Sequence, residues 1–200
     1  MKAMSVKTIG ILLFTDVEEL DAVGPWEVLS YWTLNHPGDG YEVRMLADTL
    51  DPVRAAKGLR MLPDTTVGEA PPLEVLVYPG GQGTRPRLAD PAELDWVREQ
   101  RASVPLMTSV CTGSLVYAAA GILAGRPATT HWGSLGHLAE LDPSIRIDAD
   151  ARFVDDGDVV TSAGVSAGID MALHLVARLA GRERAISVRR GIQYDPEPPV

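Results

Sequence analysis

Two hundred residues, 46% hydrophobic and 22% charged, suffice for a domain with a sizeable core and fall in the globular range. The formal net charge of −9, with no offsetting Lys/Arg cluster, repels a phosphate backbone and excludes nucleic acid as the expected partner. The single cysteine cannot close an internal disulfide, and no apolar run nears the roughly 18 residues of a membrane span, so a cytoplasmic protein is expected.

Lys2 and Lys7 precede the apolar run Ile9 to Phe14, which is short for a signal-peptide core and is followed by acidic residues. That run, with Thr8, reads as a strand buried on both faces, as in a parallel sheet. A polar turn then closes on Asp21. Gly24 and Pro25 predict a helix start with proline at its first position, and Trp26, Leu29 and Trp32 on one face. Residues 41–47 alternate as a half-buried strand, and 59–62 suit one arm of a short hairpin. L-E-V-L-V-Y then runs into the glycine-rich turn P-G-G-Q-G. Asp90, Pro91 and Glu93 spell a helix N-terminus, with Leu94 and Val97 on the inner face.

The next run, Val104 to Val110, stops at Cys111 and gives way to Thr112, Gly113, Ser114 and an alanine-rich helix ending near Gly121 or Gly125. A buried strand turning sharply into a helix, with a reactive side chain at the corner, has the pattern of a nucleophile elbow. P-A-T-T-H-W reads as a short strand ending at His131, and 133–141 as a modest helix. Residues 146–154 and 159–162 read as strands joined by the turn D-D-G-D. A periodic helix follows Gly164, with Ile169, Ala172, Leu173, Val176 and Leu179 on one face. A last helix spans about 183–190, before the breaker-rich P-E-P-P. There are no internal repeats. Alternating strands and helices predict a single α/β domain, a mostly parallel sheet with helices on both faces and a core over about 7–192.

In such sheets ligands bind at the carboxyl ends of the strands, where Asp21, Gly80-Gly81, Cys111 and His131 all fall. Each has a structural reading beside its chemical one. Cys111 is either a small buried apolar residue or a nucleophile whose thiolate is stabilised by the helix N-terminus. As a nucleophile it should sit in a sparsely populated backbone region. Asp21 either caps a helix or acts as a general acid beside the sulfur; next to a thiolate it would be protonated, because like charges disfavour each other. Gly80-Gly81 is either a plain turn or a source of backbone N–H groups for an oxyanion, together with Thr112 N–H. His131 is either a base for Cys111 or a structural hydrogen-bonder. His36, His137 and His174 lack metal-ligand spacing with the cysteine, and no nucleotide motif occurs, so neither metal nor cofactor is expected.

G-I-L-L-F, L-D-A-V-G-P-W-E-V-L, P-G-G, T-S-V-C-T-G-S-L, A-T-T-H-W and A-G-V-S-A-G-I-D-M-A-L, in this order, resemble the ThiJ/PfpI superfamily, related in fold to class I glutamine amidotransferases. V-C-T-G and T-T-H-W are most similar to its isonitrile hydratase branch. The resemblance implies a flavodoxin-like sandwich that forms a homodimer, with Cys111 as nucleophile and Asp21 as acid/base. It also implies Thr112 bordering the site, an anion hole from the N–H groups of Gly81 and Thr112, and a small-molecule substrate. Protease-like members carry histidine directly after the cysteine; Thr112 stands there instead, so peptidase activity is not implied. Regulatory members add a helix-turn-helix module, for which this chain has no room, and hydratase members run further at the C-terminus. The expected activity is hydration of an isonitrile, with a ligand- or redox-sensing domain or another Cys-dependent amidase or glyoxalase-type hydrolase as alternatives.

Overall fold

The computed structural model describes residues 6–197; Lys2 and the closing prolines Pro198 and Pro199 lie outside this range. In chain order the elements are β1 (Lys7–Leu12), α1 (Glu19–Asn35), β2 (Tyr41–Ala47), β3 (Val53–Arg54), β4 (Arg60–Met61), β5 (Thr65–Thr66) and β6 (Leu73–Tyr78). They continue with α2 (Thr84–Arg87), α3 (Pro91–Ser103), β7 (Leu106–Val110), α4 (Gly113–Ala119), β8 (Pro127–Ala128), α5 (Leu135–Leu141) and β9 (Arg146–Ile147). The last are β10 (Phe153–Asp155), β11 (Val159–Ser162), α6 (Ala167–Ala180) and α7 (Arg182–Gly191). The main sheet has the order β10-β11-β7-β6-β1-β2-β5, and only β10 runs antiparallel to its neighbour.

The central strands are buried along nearly their whole length because both faces are covered. Ile9, Ile11, Val75, Leu76, Val77 and Met107 are all fully buried. Helices α1, α6 and α7 pack together as one group, and α3, α4 and α5 as another. Trp32 of α1 is also fully buried. Its indole lies 4.8 Å from the Tyr41 ring, and its Nε1–H donates to Asp39 at 2.7 Å, so the polar end is satisfied. The sheet order reverses direction at β1, whose neighbours are β2 and β6. The loops after β1 and β6 therefore diverge around a crevice, the place where doubly wound sheets bind ligands.

Four local expectations need correction. Helix α1 begins at Glu19, so Pro25 lies inside it and Asp21 occupies its first turn. Gly24 and Pro25 are there for packing: a Cβ on Gly24 would stand 3.0 Å from Ile169 of α6. Trp26 is 38% exposed; Ala22, Val28, Leu29 and Trp32 form the buried face instead. Residues 146–154 divide between β9, paired with β8 in a small separate sheet, and β10. The buried face of α6 centres on Met171, Ala172, Leu175 and Val176, with Ile169, Leu173 and Leu179 at its margins. By contrast, Asp90 caps α3 through its side chain, accepting from Ala92 N–H at 3.0 Å. The turn after β10 contains Gly157 at φ 82°.

Candidate active site

Cys111 sits between β7 and α4 with φ at 56°, a left-handed conformation that costs a non-glycine residue about 1–3 kcal/mol. Hydrogen bonds on its backbone hold it there. Its N–H is shared between the carbonyls of Ser162 and Ala163, each at 3.1 Å. Its carbonyl accepts from Thr130 Oγ1 at 2.8 Å and from Ser114 Oγ at 3.1 Å. Gly113 follows because the turn passes tight against β6, where a Cβ would lie 2.2 Å from the Tyr78 carbonyl oxygen. Gly113→Ala is therefore expected to destabilise the protein by about 1–3 kcal/mol, measurable as a lowered denaturation midpoint. An unchanged midpoint would mean that the elbow has room to relax.

Asp21 reaches Cys111 because the loops after β1 and β6 are stitched together. Glu18 N–H donates to Gly80 O at 2.9 Å, Gly83 N–H to Asp16 O at 3.0 Å, and Gly80 N–H to Asp21 Oδ2 at 2.9 Å. Asp21 is fully buried, and its Oδ1 has no hydrogen-bond partner of normal geometry among the described residues. Its carboxyl is pushed up to about 7, first by burial and then by the Glu18 charge, while the Gly80 N–H and the neighbouring Cys111 thiol pull it down. The Cys111 thiol is itself pushed up to about 12, by burial and then by the Asp21 charge. Burial and the Asp21 charge work against the thiolate expected at a helix N-terminus, and the donors around the sulfur work for it. Those donors are the backbone N–H groups of Thr112 and Val165.

Val165 is the residue that sequence reasoning missed. It lies in the loop after β11 with φ at 51°, which is rare for a β-branched side chain. The two glycines play different parts from those expected. Gly80 N–H is taken by Asp21, and Gly81 N–H donates to Thr112 Oγ1 at 2.9 Å. Thr112 Oγ1 also lies 3.2 Å from Thr84 Oγ1, so the threonine side chain locks the glycine loop to the elbow. Neither glycine offers a free N–H to an oxyanion in this arrangement.

The segment carrying His131 is not a strand of the main sheet. Thr129 N–H donates to Thr161 Oγ1 at 2.9 Å, which lays the segment beside β11. His131 then reaches the cavity wall, where its Nδ1 accepts from Gly133 N–H at 3.1 Å. That bond places the neutral ring's proton on Nε2 and leaves Nδ1 occupied. The cavity over Cys111 measures about 170 Å³ and is lined by Glu18, Arg85, Thr112, His131 and Val165, among others. A larger cavity of about 540 Å³, bordered by Phe14, Arg87 and Glu93, shares no lining residue with it and has no cysteine in its wall. Among the described residues, no group of three or more His, Cys, Asp or Glu side chains is placed to hold a metal ion, and no helix is long and apolar enough to cross a membrane.

Comparison with known proteins agrees with this architecture. The chain is 41% identical over 191 residues to the isonitrile hydratase of Pseudomonas putida, covering 96% of this chain and 80% of that one. The HTH-type transcriptional regulator GbdR of Pseudomonas aeruginosa is 31% identical over 143 residues, covering 72% of this chain and 38% of the regulator. A crystal structure of a ThiJ/PfpI family protein from Pseudomonas syringae superposes with a TM-score of 0.86 at 35% identity, over 98% of this chain and 78% of that one. The DJ-1/PfpI family profile matches residues 7–178. With its parallel sheet and strained cysteine elbow, the chain belongs to the DJ-1/PfpI family.

Proposed function

We propose that the protein adds water to isonitriles, giving N-substituted formamides through a covalent intermediate on Cys111. The observation that carries this is the buried pair itself: one carboxyl and one thiol, coupled at a strained elbow, each made a weaker acid by burial. The similarity to the Pseudomonas putida isonitrile hydratase supports the same chemistry. The reactive form holds a single proton between the two groups. As sulfur attacks the terminal isonitrile carbon, the thiol proton passes to the Asp21 carboxylate, and Asp21 delivers it to that carbon. The product is a thioimidate, R–N=CH–S–Cys111. Water then adds across C=N, with Asp21 taking a proton from the water and nitrogen gaining one. Collapse of the tetrahedral adduct returns the thiol and releases R–NH–CHO. The N–H groups of Thr112 and Val165 stabilise charge on sulfur during attack and departure. This places Thr112 in a supporting role and leaves His131 as a wall of the site rather than its base. A homodimer in the cytoplasm completes the proposal and rests on the family resemblance.

The mechanism needs Asp21 ionised while Cys111 is still a thiol. Because the Asp21 carboxyl is raised to about 7, kcat/KM should climb with pH through about 7 with a one-proton slope and then stay level. Formamide release from cyclohexyl isonitrile, followed by chromatography across that range, measures it. Absence of formamide at every pH defeats the proposal.

A further inference from the structure

The walls of the Cys111 cavity carry more charge than a simple alkyl isonitrile would need. Two ionised side chains face it, Glu18 and Arg85. Glu18 is neutralised by an ion pair with Lys57. Arg85 has no ion pair and no side-chain hydrogen bond among the described residues, and it is exposed at the cavity mouth. Its backbone is nonetheless fixed. Arg85 belongs to α2, and the preceding Thr84 donates through Oγ1 to Gly81 O at 2.8 Å, with Thr112 Oγ1 3.2 Å from the same hydroxyl. The backbone that carries Arg85 is thus held next to the residue directly after the nucleophile, while the guanidinium itself is free to meet a ligand. At about 170 Å³ the cavity lies below the 300–1,000 Å³ or so of pockets for drug-sized ligands, so the substituent on nitrogen must be small.

We infer that the substrate is a small isonitrile whose nitrogen substituent carries a carboxylate, which Arg85 binds while Cys111 attacks the isonitrile carbon. The inference rests on the hydratase reading above and narrows it to a substrate class. Arginine suits this task because its planar fork can bind a carboxylate through two parallel N–H donors. Among the described residues, Arg85 is the one arginine or lysine that lines the cavity. The overall reaction stays balanced: ⁻OOC–R–NC and water give ⁻OOC–R–NH–CHO, with no other reactant.

Isocyanoacetate and its neutral methyl ester form a matched pair of probes. Wild type should turn over the carboxylate with the higher kcat/KM. Arg85→Ala should lower the carboxylate-to-ester ratio of kcat/KM by about 10- to 100-fold, and Arg85→Lys should retain part of it. The preference of wild type should also weaken as salt is added, because the contact is at an exposed mouth. Turnover of the ester with a ratio of one or less, or a ratio that Arg85→Ala leaves unchanged, overturns the inference and leaves the hydratase reading intact. If cyclohexyl isonitrile, the ester and the carboxylate all fail, the hydratase reading fails and this inference falls with it.

Discussion

Cys111→Ala should abolish formamide formation, lowering kcat by about 10⁴-fold or more, because Cys111 is the one thiol lining the cavity and the covalent intermediate is formed on its sulfur. The variant should remain folded. The bonds that hold the elbow use the N–H and carbonyl of Cys111 and the hydroxyls of Thr130 and Ser114, and alanine retains that backbone. Loss of activity with an unchanged circular dichroism spectrum would therefore report on sulfur alone. Denaturing mass spectrometry adds a positive signature. Acid quenching of wild type during turnover should reveal a mass gain equal to the isonitrile on the peptide containing Cys111, absent from the variant. Turnover by Cys111→Ala at more than a hundredth of the wild-type rate would replace covalent catalysis with direct addition of water.

The fold was legible where burial on both faces leaves a continuous apolar run. L-E-V-L-V-Y is a strand over the residues expected, and the alternating Y-E-V-R-M-L-A, legible by its period, is another. Proline at position 25 misled because it is a strong start signal, whereas here its backbone N–H would only have served the Asp21 carbonyl one turn earlier. The helix tolerates that loss, and the contacts of Gly24 and Gly168 between α1 and α6 show why small residues flank it. Tertiary packing set the boundary, and no local signal records packing between residues 24 and 169.

The site was legible in its reactive side chains and not in its hydrogen bonding. A lone cysteine at the end of an apolar run and an aspartate after another strand mark positions on one sheet edge. Which N–H faces which acceptor depends on how three loops fit together. Gly81 was expected to offer a free N–H, but a hydroxyl one loop away, Thr112 Oγ1, takes it. Val165 entered only as part of the motif A-G-V-S-A-G; nothing about a valine in that run announces a left-handed backbone aimed at sulfur. The forces acting on the Cys111 thiol were only half legible, for a related reason. The helix that follows it is short, beginning two residues later at Gly113, while the burial that opposes ionisation comes from the whole assembled core.

Asp21→Asn should lose activity and gain stability together, a combination that separates a strained functional group from a structural one. The amide keeps the shape of the carboxyl and can still accept from Gly80 N–H, but it cannot take the thiol proton or deliver one to carbon, so kcat/KM should fall by about 10²–10⁴-fold. The stability effect follows from the raised carboxyl. Its acidity moves from 3.8 in the unfolded chain to about 7 in the fold, so the folded state holds a proton that the unfolded state releases between those values. Wild-type stability therefore falls as pH rises through that window and stays lower above it. A shift of about three units corresponds to about 4 kcal/mol at most. The buried amide N–H groups of asparagine offset part of that, at about 1–3 kcal/mol. A net gain of about 2 kcal/mol would raise the melting temperature by about 4–8 °C above pH 7, and near pH 4, where the carboxyl is protonated in both states and only the amide cost of about 1–3 kcal/mol is left, the variant should be the less stable of the two. Thermal denaturation of both proteins across that range, beside the formamide assay, measures the two effects on the same samples. An Asp21→Asn protein that is more stable yet still turns over would make Asp21 a strained structural residue and hand its proton transfers to solvent.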